Sequence, residues 1–121
     1  MAHPERTKPK KTKQHIYGLL GLSRRGGNLI LGMDAVLTGI CQGQVQLLVL
    51  ASDASPNSAR KAAAAADRRQ VPYCYFGEGA VLGAIFNRNK CVILGLTDAG
   101  LAKAVLQAVA EYEKEGQQSQ K

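Results

Sequence analysis

Tryptophan is absent from this 121-residue chain, and its aromatic complement is four tyrosines and two phenylalanines. A surface that stacks successive unpaired bases needs several exposed rings. The six here, Tyr17, Tyr73, Tyr75, Phe76, Phe86 and Tyr112, fall mostly at core-type positions, so no platform for single strands is expected. Cysteine is equally sparse: Cys41, Cys74 and Cys91 are an odd number at long spacings inside apolar stretches, with neither a Cys-x-x-Cys pair nor a histidine neighbour. That pattern predicts buried thiols in a reducing compartment, with no metal site and no disulfide. Both histidines stand at or beside the amino-terminal tail, and there is no Gly-x-Ser-x-Gly elbow, so nucleophilic catalysis finds no residues to carry it. No run of about 18 apolar residues exists, and the start MAHPERTKPKKTK lacks the apolar stretch of a secretory signal. A cytoplasmic, non-membrane protein is expected.

What the chain has in excess is positive charge. Sixteen Lys and Arg against nine Asp and Glu leave a formal +7 and a pI near 9.6, the balance of a protein with a polyanionic partner. Residues 1–13 hold Arg6, Lys8, Lys10, Lys11 and Lys13 against Glu5, a local +4, so the remainder carries only +3 of the +7. This segment is polar, basic and proline-containing, and it predicts a disordered arm. Residues 14–115 form one α/β domain of a size that supports a single core, and 116–121 (GQQSQK) read as a frayed polar tail.

Within the domain, helical and strand periodicities alternate. Ile16, Leu19, Leu20 and Ser23 share a helix face that ends at Arg24-Arg25-Gly26-Gly27. A short strand over 28–31 follows, then an amphipathic helix with Met33, Val36, Leu37, Ile40 and Cys41 at i, i+3, i+4, i+7 and i+8. The run VQLLVLAS (45–52) is apolar at nearly every position, as a strand covered on both faces requires. Ser55-Pro56 opens an alanine-rich helix, 73–76 reads as a strand, and Val81, Leu82, Ile85 and Phe86 mark a short helix. A strand over 91–96 and a last helix capped at Thr97-Asp98 complete a helix followed by four strand-helix units. The fold class is therefore α/β, a three-layer α/β/α sandwich with a mixed, mainly four-stranded sheet. Loops at the carboxyl ends of the strands, 31–34, 52–57, 76–79 and 96–98, are the expected ligand edge.

Two segments there suit an anion. Arg24 to Ala35 (RRGGNLILGMDA) brings two arginines and a glycine-opened helix start at Gly32-Met33 into one short stretch, and free N-H groups at such a start bind phosphate. The structural alternative is a glycine helix cap beside two solvated arginines. Gly77, Gly79 and Gly83 make G-x-G-x-x-x-G with Asp98 about 20 residues on, one residue too long for a dinucleotide loop. Plain turn chemistry is preferred and no cofactor is expected. The polar loop Asn87-Arg88-Asn89-Lys90 supplies a second basic contact, whereas Arg60, Lys61, Arg68 and Arg69 read as a solvated helix surface. Asp34, Asp53 and Asp98 stand near helix starts, where capping accounts for them.

The segments GNLILGMDAVLTGICQGQVQLLVLASDASP (27–56) and VPYCYFGEGAVLGAIF (71–86) resemble the kink-turn-binding ribosomal protein family of the archaeal L-seven-Ae and L-thirty-e type, most closely its bacterial YlxQ-like branch. The resemblance implies a sandwich that grips structured RNA, ribosomal RNA included, with the turn after the first strand, the start of the second helix and loops at the same edge. Carried across by position, that surface comprises Arg24, Arg25, Gly27, Asn28, Gly32, Met33, Asp34, Ala35 and Thr38, with Gly77, Gly79, Arg88 and Lys90 in the neighbouring loops. The archaeal pattern has Thr-Asn-Glu after the glycine and a lysine one turn on, where this chain has Met33, Asp34, Ala35 and Thr38. Weak kink-turn preference follows. A monomer is expected, and the alternative role is that of an adaptor binding a ribosomal or transcription-complex protein.

Overall fold

The computed structural model of the chain describes residues 12–119, with side chains through residue 114. Thr12 opens helix α1 (Lys13–Arg25) by accepting the His15 N-H on its hydroxyl. Lys13, counted with the basic arm in the sequence, therefore lies in the first turn of α1, and residues 1–11 of that arm lie outside the described residues. After α1 come β1 (Leu29–Leu31), α2 (Met33–Cys41), β2 (Leu47–Leu50), α3 (Pro56–Arg68), β3 (Tyr73–Tyr75), α4 (Gly79–Ile85), β4 (Ile93–Leu96) and α5 (Ala99–Ser119). Helix α5 continues through Gly116 to Ser119, where composition predicts fraying. Gln117 and Gln118 are good helix formers.

The four strands form one mixed sheet in the order β1-β4-β2-β3. Strand β4 runs antiparallel to both neighbours, pairing Leu29 with Leu96 and Leu50 with Ile93, while β2 and β3 are parallel, pairing Leu48 with Tyr73. Alternation along β2 divides the core in two. Leu47, Val49 and Ala51 join Ile16, Leu20, Leu82, Leu94, Leu96 and Val105 in the layer beneath α1, α4 and α5. Leu48 and Leu50 join Val36, Ile40, Ala59, Ala62 and Ala66 beneath α2 and α3. Residues 47–51 are all at most 1 % exposed, which is why that run carries no polar position. The helices on both faces make this a three-layer α/β/α sandwich.

Strand direction corrects the expected ligand edge. Because β4 opposes the others, the 96–98 loop sits at the amino ends of β1 and β2, where Thr97 N donates to Asn28 O and Gln46 N to Leu96 O. Its place at the carboxyl edge is taken by the 87–92 loop, shown by the Gly32 N-H donating to Ile93 O at 3.1 Å. Three burial expectations also change. Cys41 is exposed at the end of α2, Val81 looks outward from a helix of only seven residues, and Tyr73 and Tyr75 overhang the free edge of the sheet at β3. Cys74 is half-buried and Cys91 buried, and the three cysteines are free.

Candidate nucleic-acid interface

At the carboxyl edge of β1 the chain turns through Gly32, whose φ of 94° and ψ of 153° suit only glycine, and enters α2 directly. The first ladder bond of α2 is Val36 N to Gly32 O, and no side chain caps the helix. The N-H groups of Met33, Asp34 and Ala35 thus precede the ladder at the positive end of a helix dipole.

Facing this turn is the 87–92 loop, fastened to α4 at both ends. Asn87, at φ 65°, takes the left-handed conformation that ends a helix, so that Arg88 N donates to Gly83 O at 2.7 Å. Three residues on, Cys91 N donates to Gly79 O at 2.9 Å. Between these ties the loop backbone lies so close to α4 that a methyl group on Gly83 would stand 2.7 Å from Lys90 Cα and N and 2.8 Å from Arg88 O. Arg88 and Lys90 are exposed on a rigid support. Together with Gly32, Met33, Ser58 and Cys91 they border a hollow of about 180 Å³.

The Cys91 thiol is pushed up by burial, while a backbone hydrogen bond with Ile93, then Arg88, then Arg24 pull the other way. Arg24, the weakest of these influences, belongs to α1 and is not among the residues that border the hollow. Nor is Arg25: its Nη1 lies back along α1, 4.0 Å from where a Gly21 Cβ would stand. Asp34, Ala35 and Thr38 are exposed on α2, with Asp34 and Thr38 one turn apart on a single face.

Four further sequence-selected residues sit elsewhere. Gly27 (φ 75°) and Asn28 complete a Schellman cap on α1, with Gly27 N donating to Arg24 O and Asn28 N to Ser23 O, at the far end of β1 from Gly32. Gly79 is buried, and its N-H is taken by Asp53 Oδ1 at 2.8 Å. Gly77 borders a separate hollow with Lys13, Glu78 and Tyr112, and its carbonyl accepts both Ser52 N and Ser52 Oγ. Asp53 therefore caps α4 across the loops, leaving α3 to Ser55, whose hydroxyl accepts from Ser58 N. With a carboxylate on that helix start, Gly77 to Gly83 offers no phosphate cradle. Asp98 caps α5 through Leu101 N. Ser58 and Cys91 escape sequence reading because nothing local in α3 or in the approach to β4 points at Gly32. Among the described residues no three histidine, cysteine or carboxylate side chains gather for a metal, and no helix is long and apolar enough to cross a membrane.

The profile of the ribosomal protein L7Ae/L30e/S12e/Gadd45 family matches residues 14–106. The RNA-binding protein YlxQ of Bacillus subtilis is 32% identical over 90 residues, covering 74% of this chain and 90% of its own length. The Enterococcus faecium RNA-binding protein YlxQ is 30% identical over 93 residues, covering 75% and 87%. Among solved structures, a protein of unknown function from Bacillus halodurans superposes with a TM-score of 0.76 at 29% identity over 79% of this chain and 97% of its own. The Giardia lamblia 15.5kD RNA binding protein superposes at 0.70 over 91% and 94%, and at 18% identity it speaks for the fold alone.

Proposed function

The chain belongs to the ribosomal protein L7Ae/L30e/S12e/Gadd45 family, and from that premise we propose that it is a non-catalytic, cytoplasmic protein that binds structured RNA at the edge built by Gly32, the start of α2 and the 87–92 loop. One observation carries the reading: an uncapped helix start and two exposed cations on a tied-down loop border the same hollow. The N-H groups of Met33 to Ala35 and the charges of Arg88 and Lys90 suit two phosphates of a bent backbone. The names of the bacterial relatives agree with this chemistry.

Kink-turn reading is weak on this proposal. Asp34 offers acceptors alone where an asparagine would offer both kinds of group, and Ala35 offers no side-chain hydrogen bond. Backbone and shape contacts then dominate over guanine edges, each of which, read by a bidentate side chain, is worth about 1–3 kcal/mol.

The test is the salt dependence of binding to a structured RNA. Arg88→Ala with Lys90→Ala removes two phosphate contacts and should lower the slope of log affinity against log salt by roughly 1.4–1.8, at about 0.7–0.9 per contact. Both side chains are exposed, so the melting temperature should hold. Deleting residues 1–11, which leaves the Thr12 cap in place, should lower the slope again. An unchanged slope in the double variant would move the interface elsewhere.

A further inference from the structure

A second surface lies on the same helix, away from the RNA edge. The carboxyl half of α2 and the length of α3 enclose a groove of about 180 Å³ with Leu37, Ile40 and Ala65 in its floor. Its rim carries Lys61, Arg68 and Arg69, all exposed, and none of its lining residues is acidic. Arg69 is held at the mouth by a hydrogen bond from its Nη2 to the exposed Cys41 Sγ, 3.7 Å away. Past Ile40 and Arg69 the groove continues into a hollow of about 240 Å³ beside Gly43, Gln70 and Pro72.

We propose that this groove docks an acidic peptide segment of another protein, with one apolar side chain seated on Leu37, Ile40 and Ala65 and flanking carboxylates on Lys61, Arg68 and Arg69. The charge decides the occupant. Three cations with no opposing carboxylate select a polyanion, and a second copy of this chain, itself at +7, would bring like charges together. The floor then separates peptide from nucleic acid. A phosphate backbone gains nothing from leucine and isoleucine side chains, whereas a buried aliphatic or aromatic anchor ringed by polar contacts is the usual energetic centre of a protein interface. The pairing is helix-in-groove recognition with the charge pattern of an acidic motif. Since α2 offers its amino end to RNA and its carboxyl half to the peptide, both partners can be held at once. The groove argument does not depend on the RNA reading.

The experiment selects peptides of about 12 residues from a random displayed library on the full chain. Enriched sequences should carry Asp or Glu around a single Leu, Ile or Phe. A synthetic peptide of that consensus should slow the reaction of Cys41 with Ellman's reagent, the other two thiols being less accessible. Replacing its anchor by alanine should cost about thirtyfold in affinity, as a hot-spot truncation does. Arg68→Glu with Arg69→Glu, checked by its melting temperature, should abolish binding while leaving RNA affinity within a few fold. No enrichment, peptides indifferent to the arginines, or a structured RNA that displaces the peptide and shields Cys41 itself would each overturn the proposal. The last outcome would hand the groove to nucleic acid.

Discussion

Gly83→Ala adds one methyl group at the point where α4 meets the 87–92 loop, and its consequence can be worked from distances. The new carbon would stand 2.7 Å from Lys90 Cα and N and 2.8 Å from Arg88 O, all backbone atoms that cannot rotate away. Carbon contacts are optimal near 3.5–4.0 Å, so the loop must retreat by about 1 Å. Overpacking of this kind costs about 1–3 kcal/mol. The gain in helix propensity from glycine to alanine offsets about 1 kcal/mol, which leaves a net loss of up to about 2 kcal/mol, at the upper end because the clash is with backbone. At about 4–8 °C per kcal/mol for a domain of this size, the melting temperature should fall by up to about 8–16 °C. The same retreat strains the bonds Arg88 N to Gly83 O and Cys91 N to Gly79 O that hold Arg88 and Lys90 in place. RNA affinity should therefore fall along with stability, unlike Arg88→Ala with Lys90→Ala, which should lower affinity alone. Thermal melts by circular dichroism and RNA titrations by fluorescence anisotropy read the two effects. A variant as stable and as tight-binding as the parent would refute the claim that this contact positions the loop.

Asp53→Ala removes the acceptor of the Gly79 N-H and should cost about 0.5–2 kcal/mol, the usual worth of a helix cap, with a matching fall in melting temperature. The Cys74 thiol is pushed up from 9.0 to about 12 by burial, with the Glu113 carboxylate adding to it. The folded state therefore holds this proton more tightly than the unfolded chain does. That contribution is complete below about pH 9 and lost as pH rises toward 12, so urea midpoints should fall less steeply over that range in Cys74→Ala. Asp34→Asn, Ala35→Glu and Thr38→Lys together should raise affinity for a kink-turn over a duplex, beyond the gain from Thr38→Lys alone, because they restore base-edge groups on the exposed face of α2. Equal gains for both RNAs would contradict a base-reading role for that face.

Much of the order of elements was legible from periodicity. The i, i+3, i+4, i+7 pattern from Met33 predicted α2 within its observed bounds, and Ser55-Pro56 marked the start of α3, since spacing and capping act over a few residues and are written in them. The unbroken apolar run through 47–51 likewise announced a strand covered on both faces, because each face of β2 meets its own helical layer. Composition predicted a polyanionic partner, since net charge is a sum that needs no fold.

Only the tertiary structure decided which loops meet. Reversal of β4 moves the 96–98 loop to the far edge and brings the 87–92 loop against Gly32, and strand direction is set by long-range pairing that no local pattern records. The glycines show the same division. Alike in sequence, Gly27 caps α1, Gly32 opens α2, and Gly79 and Gly83 make room for Lys90 and its neighbours, because what a missing Cβ permits depends on what packs against it. Asp53 serves α4 rather than the helix that follows it, and Cys41 faces solvent beside Arg69 rather than the core. In each case the partner comes from a distant part of the chain, and packing, not spacing, brings it there.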